Sequence, residues 1–483
     1  MIDNSELLRG SRILVLNWRD VRHPMAGGAE QYMHEIGSRW VESGAHVTWL
    51  TAAVTGRPGH ERLDGMHVRR AGGALSVYPR TALRGWLARG HFDAVVDCQN
   101  GIPFFSPLFA GRRTPIVQVV HHVHQDQFGT HFPAPAAALG RWLEGPASRS
   151  VYRDRPIVAV SPSTRHELRT RLRFRGPVFV VPNGTVDLPS RNSRRATEPT
   201  IVLVSRLVVH KRIDLLLGHL STVADAVPGL RVEIVGDGPD RARLQNLTDE
   251  LGLQSTVTFH GRTSDEVRDE LLSRAWLTTS TSQAEGWGCA VLEAAAWGVP
   301  CLALRVPGVR DSVLDGETGW LVDEPGQLGA ALTGALRHVS DPVRADQFAE
   351  SCRAWASCFS WDRSADLLAG VVSAEISRMA AVTAGRPVAH REARSDIAVL
   401  AVVPRPAAEL SAALRTTDEI VADGERTAVV LNGCDETAAV SVMTRLGVRP
   451  ITMQLMDNRL VLAGPTAPLA PGSTTGQLGL HTA

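Results

Sequence analysis

The chain has 483 residues, of which 44% are hydrophobic, 43 are glycine and 28 are proline. This length is enough for two or three domains, and the composition is typical of α/β proteins with many tight connections. A net charge of +1 gives no global attraction to nucleic acid or to acidic membranes. The six cysteines form no C-x-x-C pair, which disfavours a zinc site or a disulfide framework and favours a cytoplasmic protein. Neither a signal peptide nor an apolar run of membrane-spanning length is apparent, so we expect a soluble or peripheral protein.

Lysine is almost absent from the sequence. Lys and Arg together number 51, and Lys211 is the single lysine among them. A compact ammonium on a flexible stem differs from a planar guanidinium. Lys211 is therefore a candidate functional residue, although the chance survival of one codon would give the same pattern.

The first predicted strand, residues 11–18, leads to Gly27-Gly28-Ala29-Glu30 at the start of an amphipathic helix. Paired glycines at a helix start let a charged group of a ligand approach the backbone. The pattern is not the dinucleotide G-x-G-x-x-G motif, and no acidic residue ends the second strand, so an NAD enzyme is disfavoured. An ordinary strand-to-helix turn is the alternative interpretation.

Two further strands are predicted at residues 92–97 and 115–120, and the second runs into His121, His122 and His124. Adjacent strand residues point to opposite faces, so His121 and His122 cannot both face one ion without a bend. No nearby cysteine or pair of carboxylates completes a tetrahedral set. A metal site is therefore disfavoured.

The second half of the chain begins with a predicted strand, a short loop and a helix over residues 200–217. Arg206 and Lys211 lie five residues apart across this loop and can converge on one diphosphate. The next strand ends at Gly236-Asp-Gly238, a turn in which the backbone can pass close to a nucleotide.

Residues 275–304 predict a strand, a glycine-rich turn, a helix and another strand. If the helix begins near Gly288, the amides of Gly288, Cys289 and Ala290 form an anion site at its positive end. Glu285 then precedes this site and Glu293 lies inside the helix, so each can accept hydroxyl hydrogen bonds. The alternative is an ordinary helix start in which Ser282 and Glu285 form a capping box.

Glu285 and Glu293 form a Glu-x7-Glu motif, and residues 306–322 continue a pattern that resembles retaining glycosyltransferases of family 4. The resemblance covers residues 11–380 and implies an α/β protein of the GT-B fold, in which two doubly wound Rossmann-like domains face one another across a cleft. It implies that Gly27 and Gly28 face the donor diphosphate and sugar, and that one strand-end histidine lines the sugar pocket. Counting from Pro115 that position is His121, and His122 is the alternative.

The resemblance also implies a division of the chain into domains. We expect an acceptor-side domain over residues 11–188, a linker over 189–199 and a nucleotide-sugar-binding domain over 200–360. A helix over 361–380 would return to the first domain. Beyond the resemblance, residues 395–463 indicate a small α/β appendage, with a strand near 459–463, and residues 464–483 a disordered tail.

The expected reaction is metal-independent transfer of a hexose from a nucleoside-diphosphate sugar to an acceptor hydroxyl, with retention. His121, Arg206, Lys211 and Glu285 would be catalytic, and the donor would also contact Gly27, Gly28, Gly236, Gly288, Cys289, Ala290 and Glu293. No cofactor is expected besides the donor as co-substrate, since no Asp-x-Asp stands at a strand end to hold a metal. The alternative, an inactive binding or scaffold protein, is disfavoured because all of these residues are present. A phosphorylase using pyridoxal phosphate is disfavoured because Lys211 already occupies the diphosphate position.

The acceptor cannot be read from the sequence, and a glycan or a lipid-linked molecule would both suit glycan biosynthesis. Trp86 and Trp142, with Arg84, Arg89 and Arg141 near them, are residues that a docking face on the inner membrane surface would use. Scattered Arg and Trp are, however, more often ordinary surface.

Overall fold

A computed structural model describes residues 4–185, 195–386, 397–411, 413–423 and 426–464. The chain forms two compact units, one made of residues 1–184 and 361–483 and the other of residues 185–360. The second unit is thus one continuous segment between two segments of the first.

The first unit contains a sheet whose central strands are runs of Val, Ile and Leu buried on both faces, as in parallel sheets covered by helices. Its strands are β1 (Arg12–Leu16), β2 (His46–Thr51), β3 (His60–Leu63), β4 (Met66–Arg70), β5 (Ala94–Asn100), β6 (Ile116–His122), β7 (Ile157–Ala159) and β8 (Val178–Val180). Within residues 4–185 the order is β3-β4-β2-β1-β5-β6-β7-β8, and only the β3–β4 pair is antiparallel. The strands predicted near residues 11, 92 and 115 are confirmed as β1, β5 and β6.

Helices connect these strands. They are α1 (Gly28–Glu42), α2 (Val77–Leu87), α3 (Gln127–His131), α4 (Ala134–Trp142), α5 (Ser148–Val151) and α6 (Pro162–Thr170). A 3-10 turn lies at Asn4–Leu8, a second at Ser106–Leu108, and a π-helical turn at Leu143–Ala147. Strand carboxyl ends in such a sheet meet at one edge, where ligands of open α/β proteins bind.

The second unit alternates strands and helices throughout. Its strands are β9 (Thr200–Val204), β10 (Arg231–Val235), β11 (Val257–Gly261), β12 (Thr278–Ser280), β13 (Cys301–Leu304) and β14 (Gly319–Val322). Its helices are α7 (Ile213–Ala226), α8 (Arg241–Glu250), α9 (Asp265–Arg274), α10 (Cys289–Ala296), α11 (Val309–Ser312), α12 (Leu328–His338) and α13 (Pro342–Ala356), with 3-10 turns at Val209–Lys211 and Pro325–Gln327.

The strands of the second unit form two parallel sheets. In the described residues their orders are β11-β10-β9 and β12-β13-β14, and a parallel bridge between Ile201 and Leu277 joins them. Leu203, Leu216, Ile234 and Leu302 belong to the buried core between these strands and their helices. Both units are therefore Rossmann-like.

Helix α14 (Trp361–Thr383) returns to the first unit, where the indole Nε1 of Trp40 on α1 donates to the Ala365 carbonyl at 3.0 Å. The chain then forms β15 (Ala398–Val403), α15 (Ala407–Ser411), β16 (Glu419–Asp423), β17 (Arg426–Asn432), α16 (Glu436–Arg445), β18 (Thr452–Leu455) and α17 (Asn458–Ala463). In the described residues these strands make an antiparallel sheet of order β16-β17-β15-β18. Arg363 on α14 contacts Glu419 of this sheet at 3.0 Å.

The strand predicted near residues 459–463 is wrong, because this segment is helix α17. The Asp457 side chain accepts a hydrogen bond from the Leu460 amide at 2.8 Å and caps the helix start. The alternating strand of this region lies earlier, at Thr452–Leu455. An apolar run of this length is compatible with a strand or a helix, and the Asp457 cap favours the helix.

The linker predicted over residues 189–199 lies partly outside the described residues. Of the part that is described, the Arg195 guanidinium lies 3.8 Å from the centre of the Trp276 ring, and Ala196 donates to the Arg274 carbonyl. The tail predicted over residues 464–483 lies outside the described residues apart from Gly464. No helix in the described ranges is both long and apolar enough to cross a membrane.

Candidate donor-binding site

Helix α10 begins at Cys289, as predicted, with Gly288 as its N-cap residue. Gly288 has a φ of +104°, and a Cβ atom there would lie 2.7 Å from Ser312 Oγ. Glycine is thus required by both conformation and space. Gly288 has no side chain that could cap the first turn, and the amides of that turn stand at the positive end of the helix dipole.

The capping-box alternative for Ser282 and Glu285 is wrong. A capping box needs the glutamate at the third helical position, whereas Glu285 lies three residues before the N-cap Gly288. The Ser282 hydroxyl instead donates to Glu285 Oε1 at 2.6 Å. This contact orients the carboxylate in the loop ahead of the helix.

Lys211 and Glu285 form an ion pair between Nζ and Oε1. The two side chains are only 16% and 19% exposed. The lone lysine of the chain is therefore held against the first glutamate of the Glu-x7-Glu motif. The structure brings together two predicted site residues that are 74 positions apart in sequence.

Three hydrogen bonds accepted by backbone carbonyls fix the loops around this pair. Thr281 Oγ1 donates to the Lys211 carbonyl at 3.0 Å, and the Gln283 amide donates to the His210 carbonyl at 3.0 Å. The Glu285 amide donates to the Pro307 carbonyl at 3.1 Å. At Gly308, with a φ of +81°, a Cβ atom would lie 2.2 Å from the Glu285 carbonyl oxygen. Sequence reasoning missed Thr281 and Gly308 as positioning residues.

The side chains at the start of α10 act on one another electrostatically. Burial, together with the negative charges of Glu293 and Glu285, raises the pKa of the Cys289 thiol to about 12, and the positive charge of Lys211 opposes this rise. Burial also raises the pKa of Glu293, which the positive charge of Arg268 on α9 partly offsets. The thiol of Cys289 is therefore neutral and inert.

Arg206 follows β9, and its side chain is exposed. Its guanidinium has no ion-pair or hydrogen-bond partner in the part of the chain that the structure describes. A free guanidinium five residues before Lys211 is available to an anionic ligand.

Gly236 and Gly238 pack against the loop that carries Arg206. A Cβ atom at Gly236 would lie 1.9 Å from the Ser205 carbonyl oxygen, and one at Gly238 would lie 2.2 Å from that of Leu207. The Leu207 amide donates to the Asp237 carbonyl at 3.0 Å. Close packing within the unit thus explains the glycines, and a donor contact of Gly236 stays a prediction.

In the first unit, Gly27 and Gly28 lie at the start of α1. Gly27 is extended, and Gly28 is not among the glycines of positive φ. The Gly27 amide donates to Glu30 Oε2 at 2.7 Å, and Arg19 Nε donates to Glu30 Oε1 at 3.0 Å. The buried Glu30 carboxylate therefore holds the glycine loop in place.

Sequence reasoning missed two polar residues of the first unit, Asn17 and Asn100. Asn17 follows β1 and Asn100 ends β5, and Asn100 Nδ2 donates to Asn17 Oδ1 at 2.9 Å. The available signal was that polar residues end two strands whose carboxyl ends meet at one sheet edge.

His121 and His122 lie at the end of β6 in different surroundings. His121 is 7% exposed, its ring centre lies 5.1 Å from that of Tyr32, and its Nε2 has no partner among the described residues. Burial and the neighbouring His124 lower the pKa of His121 to about 3, so its ring is neutral. His122 Nε2 instead contacts Gln127 Nε2 at 3.1 Å.

The histidines do not form a metal-binding set. Across the described ranges, no group of three or more His, Cys, Asp or Glu side chains is arranged to hold an ion. His122 and His124 face one another at 5.0 Å between ring centres, while His121 contacts Tyr32.

Two family profiles match consecutive parts of the chain. Glycosyltransferase Family 4 matches residues 26–189, and Glycosyl transferases group 1 matches residues 187–355. The second match contains Arg206, Lys211, Glu285 and Glu293.

Curated relatives are glycosyltransferases by name. The D-inositol 3-phosphate glycosyltransferase of Acidothermus cellulolyticus is 31% identical over 389 residues, which are 72% of this chain and 85% of that protein. A GDP-mannose-dependent alpha-(1-6)-phosphatidylinositol monomannoside mannosyltransferase of Mycolicibacterium smegmatis is 34% identical over 184 residues. That alignment covers 36% of this chain and only about half, 48%, of the relative. An alignment with the D-inositol 3-phosphate glycosyltransferase of Thermomonospora curvata likewise covers 45% of that protein.

Solved structures share the fold. Sucrose-phosphate synthase from Thermosynechococcus elongatus superposes with a TM-score of 0.63 at 20% identity, covering 78% of this chain and 99% of that one. Anabaena HepE in complex with UDP and glucose gives a TM-score of 0.55 at 19% identity, covering 78% and 100%. On this evidence the chain belongs to glycosyltransferase family 4 and has the GT-B fold of two Rossmann-like domains.

Proposed function

We propose that this chain transfers a hexose from a nucleoside-diphosphate sugar to an acceptor hydroxyl, with retention of the anomeric configuration and without a metal ion. The observation that carries the proposal is the Lys211–Glu285 ion pair ahead of the start of α10. A cation, a carboxylate and the amides of a helix start are the groups needed to bind a phosphate that bears a sugar.

In this proposal the leaving diphosphate is neutralised by Arg206, Lys211 and the amides of Gly288, Cys289 and Ala290. Lys211 is paired with Glu285 in this structure. Donor binding would divide this pair, with Lys211 turning to the phosphate that bears the sugar and Glu285 accepting a sugar hydroxyl. Glu293, one turn into α10, would accept a hydroxyl of the nucleoside.

Residues of the first unit would contact the sugar. His121 supports this role because its Nε2 is buried and has no partner in the described residues, as expected of a group that a ligand completes. The ring is neutral, so it would orient a hydroxyl and not balance charge. Gly27 and Gly28 adopt conformations open to other residues, and close approach of the donor would explain why glycine is used there.

Retention follows if the acceptor attacks the face that the diphosphate leaves. The bond from the anomeric carbon to the phosphate oxygen would break as the acceptor oxygen forms its bond, and the acceptor proton would pass to the leaving phosphate. The cations and helix amides would stabilise the negative charge that develops on that phosphate.

Relatives suggest which substrates to test first. GDP-mannose, D-inositol 3-phosphate and phosphatidylinositol monomannoside occur in the names of curated relatives, and UDP-glucose in that of a solved complex. We expect a donor panel containing GDP-mannose and UDP-glucose to reveal release of one nucleoside diphosphate, faster when an inositol-containing acceptor is added. Failure of every nucleotide sugar to react, with or without acceptor, would contradict the proposal.

A further inference from the structure

His124, in the loop just beyond β6, has no part in the function proposed above. Its ring faces a carboxylate: Nδ1 lies 3.4 Å from Oε1 of Glu144. This nitrogen is buried and makes no aligned hydrogen bond among the described residues. Hydrogen bonds of substrate-binding groups are often long until the substrate is in place. The two side chains are therefore positioned to pair.

Glu144 is a buried carboxylate that holds the loop carrying His124. It lies in the π-helical turn Leu143–Ala147 and is 0% exposed. Oε1 accepts a hydrogen bond from the His124 amide at 2.6 Å, and Oε2 accepts one from Gln125 Nε2 at 2.7 Å. Within residues 4–185 its only ion-pair partner is His124. Burying a carboxylate without an arginine or lysine is costly, and π-helical turns are frequent at functional sites.

The carboxylate determines which ring nitrogen of His124 carries the proton. A carboxylate only accepts hydrogen bonds, so the neutral ring facing it has its proton on Nδ1 and leaves Nε2 as an acceptor. In the part of the chain that the structure describes, no group bonds to Nε2, and the side chain is 25% exposed. One hydrogen-bond acceptor of fixed orientation is thus open to a ligand.

The His124 ring lies where loops meet at the carboxyl edge of the first sheet. A Cβ atom at Gly101, which has a φ of +92°, would lie 3.9 Å from His124 Cγ. Gly101 follows Asn100, whose backbone pairs with His122 across β5 and β6. Asn100 Nδ2 also donates to Glu30 Oε1 at 3.4 Å, and Glu30 holds the glycine loop expected to face the donor. His124 is therefore at the edge where open α/β sheets bind their ligands.

We propose that His124, oriented by Glu144, accepts a hydrogen bond from a hydroxyl of the acceptor. This inference rests on the proposed function and gives its acceptor a chemical class, a sugar or a cyclitol. The reacting hydroxyl passes its proton to the leaving phosphate, so the hydroxyl that His124 binds is a neighbouring one. A nitrogen that only accepts cannot bind a phosphate oxygen, which has no proton to donate. Any phosphate on the acceptor therefore points away from His124.

The test separates transfer to the acceptor from release of the donor to water. The donor is GDP-mannose or UDP-glucose, whichever the wild type turns over, and the acceptor probes are D-inositol 3-phosphate and methyl α-mannoside. His124→Ala should lower kcat/KM for the accelerating probe about ten- to hundredfold, the effect of losing one oriented hydrogen bond to a substrate hydroxyl. Release of nucleoside diphosphate without a probe should stay at the wild-type rate, because water needs no such contact.

Glu144→Gln should lower the same kcat/KM, since the ring stays but loses the charge that orients it. Because Glu144 also binds two groups of the loop, His124→Ala carries the test if this variant does not fold. His34→Gln is the matched control, since His34 on α1 also faces a carboxylate, that of Asp64 at 2.9 Å. Both of its rates should equal those of the wild type.

A folded His124→Ala variant with the wild-type kcat/KM for the probe would overturn the inference. An equal loss of transfer and of release to water would do so as well, because it would place His124 in the support of the donor. If neither probe accelerated the wild type, the sugar or cyclitol class would be wrong, while donor turnover would still uphold the proposed function. Absence of any donor turnover would contradict the proposed function itself and this inference with it.

Discussion

Glu285 and Glu293 are eight residues apart and have different surroundings. Glu285 lies in a loop, where Lys211 and Ser282 contact its carboxylate. Glu293 lies inside α10, where burial disfavours its charge and raises its pKa. The Glu285 carboxylate is therefore held by its partners, whereas ionisation of the buried Glu293 carboxyl lowers the stability of the fold.

Replacing Glu293 with Gln should weaken donor binding and stabilise the fold at neutral pH. A carboxyl group with a raised pKa in the folded state lowers stability as the pH rises above its ordinary value of 4.5. The glutamine side chain of the variant carries no charge and does not lower stability in this way. The Tm difference between the Glu293→Gln variant and the wild type should therefore grow as the pH is raised from acidic to neutral. Its KM for donor should rise, because a nucleoside contact is similar in the ground and transition states.

Glu285→Gln is the comparison for that variant. It should lower kcat, because the sugar would be misplaced, and should leave Lys211 without its charged partner. Equal and small kinetic effects of both substitutions would show that neither carboxylate binds the donor.

The buried ring of His121 should make the protein sensitive to acid. In the unfolded chain a histidine takes up a proton below its ordinary pKa of 6.5, whereas His121 in the fold does so only near 3. The free energy of unfolding should thus fall by up to about 1.4 kcal/mol per pH unit across this window through this group alone.

His121→Gln should reduce that pH dependence, as measured by denaturant unfolding at several pH values. His46→Gln, at an exposed position on β2, serves as the control. An unchanged pH dependence in the His121 variant would contradict the buried, neutral assignment.

At the scale of elements, the site depends on how loops pack. Gly308 lies in the loop after β13, next to the backbone of Glu285. It has a positive φ, and a Cβ atom on it would lie 2.2 Å from the Glu285 carbonyl oxygen. Gly308→Ala should therefore lower both Tm and kcat, since a Cβ atom would displace the Glu285 loop.

Gly326→Ala is the matched control, because a Cβ atom there would meet nothing within 4 Å. Its Tm and kcat should stay close to wild type. If Gly308→Ala also left kcat unchanged, the Glu285 loop would not need its present position for turnover.

Sequence predicted these elements where local patterns are strong. The buried runs of β1, β6 and β9 and the glycine at position 288 located the strands and the start of α10. The contacts of Thr281 and Gly308 join loops distant in sequence, and no local pattern encodes them. Residues 459–463 were misassigned because a short apolar run is ambiguous until its cap, Asp457, is seen to bond the backbone.

For the whole molecule, the family relationship and the fold rest on both profiles and on relatives that span most of the chain. The chemistry proposed for it does not use a metal. We therefore expect transfer to continue in excess EDTA, because in this proposal Arg206, Lys211 and helix amides would neutralise the leaving group. Loss of activity in EDTA that magnesium or manganese restores would contradict the metal-free proposal.

The central proposal is that Lys211 contacts the phosphate that bears the sugar. It is tested most directly by Lys211→Arg. The Lys211 side chain is mostly buried against Glu285. An arginine at this position keeps the ion pair, but its planar guanidinium cannot occupy the point that the lysine ammonium occupies.

The measurement is kcat/KM for donor turnover, with Tm recorded on the same preparation. We predict a fall in kcat/KM of about 30- to 1000-fold, which corresponds to about 2–4 kcal/mol of transition-state stabilisation, and a Tm close to wild type because the charge pair is retained. A kcat/KM equal to that of the wild type would contradict the proposal, and a large drop in Tm would make Lys211 a structural residue instead.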